Sequence, residues 1–250
     1  MSPSWHRYAE LRPDQIAVAA AEAPVAFWPL GLLEHHGWHL PVGYDGIKAD
    51  RICQRIAERT GGLILPIMWW AGSGGHDVFR WSHYQDESAF TAILATTTRQ
   101  LIHFDFRSIV LLAGHYPWQT YLDKYIPPIQ KEHPEVQILY GTEMTIGGDA
   151  VQIKGDHAAR EETSFGLALL PEFTDLDALT PGRDDSVWPH SAPPPEDKRH
   201  PHVNFEAADP LFAQMGEDAR LASAKRAEAG LGPLVDHLAQ SITRHLKEVQ

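Results

Sequence analysis

Acidic and imidazole side chains are concentrated in one stretch near the start of the chain. Within twelve residues this stretch contains Glu34, His35, His36, His39 and Asp45. Carboxylate oxygens and imidazole nitrogens together suit Zn, Mn or Fe rather than a purely soft metal site. In an extended segment Glu34 and His36 point to the same side and can reach one ion, whereas His35 points away. The stretch therefore predicts a metal site; the alternative is a surface loop of satisfied polar residues.

Two later stretches place further histidines near predicted strand or helix ends. His115 follows the strongest strand pattern of the chain, where a capping or core histidine is an equally good interpretation. Residues 155–164, Gly-Asp-His-Ala-Ala-Arg-Glu-Glu-Thr-Ser, contain Asp156, His157 and Glu162. Asp156 could simply cap the helix that follows. Alternatively, His157 is a proton shuttle and Glu162 binds or supports a metal.

Short apolar runs alternate with segments of helical spacing along most of the chain. This alternation predicts an α/β fold in which crossover helices join parallel strands. The predicted strands are 25–30, 63–70, 108–112 and 136–140, and the predicted helices are 5–21 with a fresh start at Pro13, 47–60, 88–104, 119–126, 162–170, 211–229 and 234–247. Ligands of open α/β sheets bind where strands run into loops. We therefore expect the loops after residues 30 and 112 to lie on one edge of the sheet.

Composition excludes several classes of protein. The formal net charge is −12 without any run of Lys or Arg. We expect no nucleic-acid partner, because phosphate contacts need clustered cations. Cys53 is the one cysteine, so a disulfide within the chain and a cysteine-based zinc site are excluded. No stretch approaches the roughly eighteen apolar residues of a membrane span, so we expect no membrane partner and a cytoplasmic protein.

The length of the chain favours one domain over residues 1–250. The segment 171–210 differs in texture, because it is rich in Pro, Asp and His and includes three consecutive prolines at 193–195. Structureless loops of this length are uncommon in compact domains. We therefore expect this segment to be an ordered excursion or a lid.

Several of these segments, in this order, resemble the motifs of the creatininase (creatinine amidohydrolase) family. Residues 34–41, Glu-His-His-Gly-Trp-His-Leu-Pro, followed by Asp45, are similar to the family's Glu-Gln-His-Gly-x-His-Leu-Pro stretch and its Asp. Residues 113–115 resemble an Asn-Gly-His loop, and 155–164 resemble an Asp-x-His-Ala-Gly-x-x-Glu-Thr-Ser motif. Residues 72–79 are similar to an intermediate Ser-x-x-His loop.

The resemblance implies a three-layer α/β/α fold with a mostly parallel central sheet. It also implies a centre of one or two divalent ions, Zn, Mn or Fe, whose ligands are Glu34, His36, Asp45 and His115, with Asp45 as the bridging candidate. Glu162 is a further ligand or near neighbour with a catalytic role. His157 is the candidate acid/base.

Other residues are candidates for binding the substrate. Ser73 and His76 belong to the intermediate loop, and His35 stands beside the metal motif. Trp69 and Trp70 either wall the pocket or fill the core. The resemblance further implies a small-molecule substrate and a homo-oligomer, a hexamer by family resemblance.

Departures from the motifs indicate a divergent member rather than creatininase itself. Pro117 stands where creatininase carries a glutamate ligand of its second metal, and His35, Ala113, Gly155 and Ala159 replace the usual motif residues. We expect hydrolysis of a C–N bond in a small-molecule amide, such as a cyclic amide or formamide, by metal-activated water. Two alternatives stay open: hydrolysis of a cyclic ketone or lactone on a polyol-like substrate, and a metal-stabilised oligomer without catalysis.

Overall fold

Parallel strands form the centre of the molecule. The computed structural model describes residues 3–183, 187–190 and 192–249. The strands are β1 (Trp5–Arg7), β2 (Val25–Leu30), β3 (Gly62–Ile64), β4 (Ser108–Ala113) and β5 (Gln137–Thr142). Within the described ranges they form a five-stranded, all-parallel sheet in the order β1-β3-β2-β4-β5. Their carboxyl ends therefore share one edge, where loops can bring side chains together.

Helices cover both faces of this sheet. They are α1 (Pro13–Glu22), α2 (Tyr44–Thr60), α3 (Glu87–His103), α4 (Trp118–Glu132), α5 (Arg160–Leu169) and α6 (Ala224–Glu248). Phe27 and Val110 face a core shared with α2, α5 and α6. Trp28 and Leu111, one residue further along each strand, face a core shared with α1, α3 and α4. Because strand side chains alternate, both faces are apolar and covered, and the predicted three-layer fold is confirmed.

Several predicted boundaries are wrong at the N-terminal half of the chain. Residues 5–7, predicted as helix, form the edge strand β1 beside β3, although the helix start at Pro13 is confirmed. The predicted strand 63–70 is reduced to Gly62–Ile64 with only isolated bridges beyond. A three-residue strand is too short to show a hydrophobic period, so its conformation is set by pairing with the neighbouring strand.

Prolines mislead in the two later helices. α4 continues through Pro127 and Pro128 to Glu132, because both prolines are exposed and water can bond the carbonyls that lose an N–H partner. The two helices predicted at 211–229 and 234–247 are a single helix, α6, which begins at Ala224 and contains Pro233.

The segment 171–210 packs onto the rest of the molecule where it is described. Short 3₁₀ turns occur at Pro171–Phe173, Leu176–Ala178 and Glu196–Lys198. Val187, Trp188 and Val203 form a small apolar cluster with Phe79 and Phe212. Residues 184–186 and 191 of this segment lie outside the described residues. None of the helices in the described ranges is both long and apolar enough to span a membrane.

The ends of β2 and β4 lie directly against the first turn of α2. A Cβ added at Gly114 would come within 1.9 Å of the carbonyl oxygen of Asp45, and one added at Gly31 within 2.4 Å of the Cα of Gly46. Side chains cannot be accommodated at such separations, so glycine allows the backbones to touch. This contact holds Asp45 at the edge where the strands end.

Gly114→Ala tests that contact. We expect it to lower the free energy of unfolding by at least about 2 kcal/mol, because the added methyl overlaps α2. Chemical denaturation followed by circular dichroism measures the change. Gly232→Ala is the comparison, since a Cβ there meets nothing within 4 Å beyond its chain neighbours and its own helix backbone; we expect a smaller change, within about 1 kcal/mol, from the opposing effects of helix propensity and of the following Pro233. Equal effects of the two substitutions would contradict the close approach.

Candidate metal centre

Side chains from separate loops and helix starts converge beyond the carboxyl ends of the strands. Glu34 and His36 follow β2, His115 follows β4, and Asp45 lies in the first turn of α2. Their ligand atoms, with those of three further residues, fall into groups within 4.8 Å: Glu34, Asp45 and His115; His36, His157 and Glu162; Glu34, His76 and His157. All these residues are buried. The structure thus brings the predicted ligands together.

The distances outline two adjacent candidate cation positions. At the first, His115 Nδ1 lies 3.1 Å from Glu34 Oε2 and 3.3 Å from Asp45 Oδ2. At the second, His36 Nε2 lies 3.2 Å from Asp45 Oδ1 and 3.6 Å from Glu162 Oε2. Asp45 turns one oxygen to each position, as a bridging ligand would.

Three polar atoms in this cluster have no hydrogen-bond partner among the described residues. They are Glu34 Oε2, His36 Nε2 and Asp45 Oδ2, all fully buried. A buried acceptor without a partner is costly. Divalent cations at the two positions would satisfy these atoms, Glu34 Oε2 and Asp45 Oδ2 at the first and His36 Nε2 at the second, and mixed carboxylate and imidazole ligands suit Zn, Mn or Fe. The residues present therefore fit a metal ion.

Backbone carbonyls orient the histidines of the cluster. One ring nitrogen of each lies about 3 Å from a carbonyl oxygen: His36 Nδ1 at 3.1 Å from Glu34, and the Nε2 atoms of His76, His115 and His157 at 3.0 Å from Ala213, Ser73 and His35 respectively. A carbonyl only accepts, so the facing nitrogen carries the proton. The other nitrogen is then free to bind a cation or a proton, an arrangement common around metal-binding histidines.

Electrostatics divide the histidines into two groups. Burial opposes the charge on His36 and His115, but the surrounding carboxylates outweigh it and raise the pKa of His36 to about 9 and of His115 to about 10. Burial, followed by the neighbouring His36, holds the pKa of His157 well below its usual range. His157 is therefore neutral at pH 7, while His36 and His115 need a positive charge, from a proton or from a metal, beside their carboxylates.

A second charged cluster beneath the centre has no counterpart in the sequence-based predictions. Lys48 is fully buried and donates to Glu143 Oε1 at 2.7 Å and to Glu162 Oε1 at 2.9 Å. Tyr116 donates to the same oxygen of Glu143 at 2.9 Å. One signal pointed to Lys48, because it lies three residues after Asp45 on one face of α2. Lysine is so rarely buried that this signal alone indicates a solvated side chain.

Tyr84 is another contact that the sequence did not reveal. Its hydroxyl donates to Glu34 Oε1, which leaves Glu34 Oε2 facing the first cation position. Burial, with the Glu34 carboxylate second, raises the pKa of Tyr84 far above its usual value. Tyr84 therefore stays protonated and acts as a donor that orients Glu34.

A cavity of about 290 Å³ opens onto the centre. Its walls include the predicted residues Glu34, Asp45, His76, His115, His157 and Glu162, together with Gly74, Gly75, Tyr116, Pro117, Asp156, His200 and Met215. His200 belongs to the segment 171–210, which therefore contributes to the wall. The volume is near the lower end of the range for small-molecule sites.

Four candidate substrate-binding residues lie outside this wall as the structure describes it. The side chain of Trp69 packs against Gly43 and Gly46, and Trp70 is largely exposed beside His83. Ser73 contributes its carbonyl to His115, and the ring of His35 packs against Phe79, Phe212 and Trp38. His76, the fifth candidate, lines the cavity and stacks on His157 with ring centroids 3.6 Å apart.

Asp156 satisfies the start of the helix that follows it and also faces the cavity. Its two oxygens accept the backbone N–H groups of Glu161 at 2.7 Å and Glu162 at 3.0 Å, which satisfies the first turn of α5. It also lines the cavity. Burial and the nearby Glu162 raise the pKa of Asp156 to about 7.

Parallel strands flanked by helices, with carboxylates and histidines beyond the strand ends, define an α/β protein with a candidate metal centre. The family model described as creatinine amidohydrolase (Creatininase) matches residues 9–242. The chain therefore belongs to the creatininase family, and the resemblance found in the sequence is confirmed.

Two curated relatives are similar to this chain. Creatinine amidohydrolase of Pseudomonas putida is 26% identical over 225 residues, which cover 79% of this chain and 82% of that protein. A 3-dehydro-scyllo-inosose hydrolase of Thermotoga maritima is 23% identical over 183 residues, covering 68% of this chain and 58% of that protein. Both relatives are named as hydrolases, so this is a family of hydrolytic enzymes.

Solved structures of creatininase share the fold. A crystal structure of creatinine amidohydrolase matches with a TM-score of 0.72 and 23% identity over 95% of this chain and 96% of that chain. A structure described as creatininase Mn matches with a TM-score of 0.73 and 22% identity over 96% and 98%. A variant creatininase of Zn-Zn type matches with a TM-score of 0.71 and 23% identity over 95% and 96%.

Metal affinity should rise with pH between 6 and 8. With the pKa of His36 at about 9 and of His115 at about 10 in the metal-free protein, an ion must displace protons to bind. Each displaced proton raises the apparent affinity about tenfold per pH unit below that pKa. Competition with a chromophoric chelator measures the slope. The exposed variant His103→Ala should show the same slope, and a pH-independent affinity would contradict the prediction.

Proposed function

We propose that the chain is a metal-dependent hydrolase that cleaves a C–N bond of a small-molecule amide. The observation that supports this most directly is the set of buried, unpartnered ligand atoms of Glu34, His36 and Asp45, two of which, Glu34 and Asp45, line the cavity. The name of the Pseudomonas putida relative, creatinine amidohydrolase, supports the amide class.

Glu34, Asp45 and His115 would hold an ion at the first position, and His36, Asp45 and Glu162 at the second. A bound divalent ion polarises a substrate carbonyl and makes water more acidic. Zn and Mn are the metals we favour, because structures of the same fold are described with them. Fe stays a possible third metal, since the ligand set accepts it.

His157 is the proposed general acid/base. Its Nε2–H donates to the carbonyl of His35 at 3.0 Å, so the unprotonated Nδ1 faces the cluster. Its lowered pKa keeps it neutral before reaction. In this state Nδ1 can take a proton from the attacking water and return it to the leaving nitrogen.

Two other functions draw on specific observations. The Thermotoga maritima relative is named as a hydrolase of 3-dehydro-scyllo-inosose, which favours a cyclic ketone or lactone of a polyol-like substrate as the alternative. Pro117 lines the cavity without a ligand atom, which favours a metal-stabilised, non-catalytic protein. The homo-oligomeric state, a hexamer, is a further proposal that rests on the family resemblance, and the cytoplasmic location is one that rests on the composition of the sequence.

A turnover screen distinguishes these functions. Chelator-treated and metal-loaded protein are compared on cyclic amides, formamides, lactones and cyclic polyol ketones, with product identified by mass spectrometry. We expect metal-dependent hydrolysis of an amide. Hydrolysis of lactones or ketones alone would select the alternative substrate class. Stoichiometric metal without any turnover, together with a higher melting temperature, would select the non-catalytic protein.

Two variants separate metal binding from proton transfer. His115→Ala should lose tight metal binding and activity together. His157→Gln should keep its metal and lose at least about a hundredfold in kcat, because general acid/base catalysis contributes that much. His103→Ala, at an exposed position, is the control. Unchanged kcat in His157→Gln would rule out the proton-transfer role.

A further inference from the structure

Glu162 is the carboxylate that belongs to the second cation position alone. His36 and Asp45 complete that position, and Asp45 shares its other oxygen with the first one. An ion beside His36 therefore depends on how Glu162 is turned. Glu162 has freely rotating bonds, so its orientation must come from its contacts.

Both oxygens of Glu162 have such contacts. Oε1 accepts from Lys48 Nζ at 2.9 Å, and Oε2 accepts from the backbone N–H of Ala158 at 2.9 Å. Oε2 is also the oxygen 3.6 Å from His36 Nε2. Lys48 thus binds the oxygen that faces away from the cation position and leaves the other one directed towards it.

The charge of Lys48 is already balanced by a separate carboxylate. Glu143 accepts from Nζ at 2.7 Å, and both side chains are fully buried. A lysine placed near a metal site repels the ion unless it has a counter-ion. Because Glu143 supplies that counter-ion, the Lys48–Glu143 pair carries no net charge and can orient the Glu162 carboxylate without repelling an ion.

We propose that Lys48 is a positioning residue, whose ammonium group holds Glu162 as a ligand of a second divalent ion beside His36. Glu143 and Tyr116 keep the ammonium in place from the opposite side. This inference rests on the proposed function only in that the centre binds divalent ions; it does not depend on the substrate or on turnover.

The double variant Lys48→Met/Glu143→Gln tests the proposal without changing net charge. Direct titration of the metal-free protein with Zn²⁺ or Mn²⁺, checked by elemental analysis, counts the ions bound. We expect two equivalents in the wild type. In the double variant the first should bind unchanged, and the second should bind at least about tenfold more weakly, since residues that orient ligands contribute about 10–100-fold to metal affinity.

Adding Glu162→Gln shows whether Lys48 acts through Glu162. Glu162→Gln alone should weaken the second equivalent measurably, and the triple variant should bind that equivalent no more weakly than Glu162→Gln. A purely structural role would make the losses add. Arg7→Gln/Asp50→Asn is the matched control, because it removes another oppositely charged pair, in which Arg7 of β1 binds Asp50 of α2. This control should leave the affinities for both equivalents unchanged.

Metal-loaded wild-type crystals provide a measurement that needs no variant to fold. We expect Glu162 Oε2 about 2 Å from an ion beside His36, with Oε1 still bonded to Lys48. The proposal is overturned by coordination through Oε1 with Lys48 turned away, by one equivalent in the wild type, or by an equal or tighter second equivalent in the double variant. Absence of turnover with two bound equivalents, of which the second depends on Lys48, would reject the hydrolase function and leave this inference standing.

Discussion

Buried carboxylates that need positive charge are the constraint on which the rest of this structure depends. Glu34, Asp45, Glu143 and Glu162 are all withdrawn from water at one edge of the sheet. Unpaired burial of such groups is prohibitive. Lys48 donates to the two deeper ones and its single charge balances one of them, whereas Glu34 and Asp45 face imidazoles with unpartnered atoms. These unpartnered atoms support the proposed cation site over a self-satisfied polar core.

The fold makes this arrangement rigid through the backbone. Carbonyl groups bind one nitrogen of each clustered histidine, and the N–H of Ala158 binds Glu162. Glycines at the ends of β2 and β4 let the strands touch α2, which sets the position of Asp45. Ligand geometry thus depends on main-chain atoms of the sheet edge more than on long flexible side chains, as a pre-organised site requires.

Two groups of histidine follow from one electrostatic environment. Those facing carboxylates have a raised pKa, whereas burial, followed by the neighbouring imidazole of His36, lowers the pKa of His157. A shared low-dielectric pocket amplifies both effects. Environments that push titratable groups apart in this way are what the proposed roles require, with cation ligands and a neutral proton carrier in the same cluster.

The sequence by itself determined the fold class, the family and the loops that carry the chemistry. Periodicity is local, so the strands at 25–30 and 108–113 and the helix start at Pro13 could be read directly. The motif at 34–45 also placed acidic and imidazole groups after a strand, and the parallel sheet brings that loop to the same edge as His115.

Only the tertiary structure decided what surrounds those groups. Lys48 and Glu143 are 95 positions apart. Each is charged, so its burial could not be predicted without knowing that the other lies beside it. Edge strand β1 is too short to show a strand pattern in the sequence, and it is extended because it pairs with β3. Trp69 and Trp70 could be assigned to a wall or to a core only once the loops had positions. Contacts between distant segments are set by packing, which no local pattern contains.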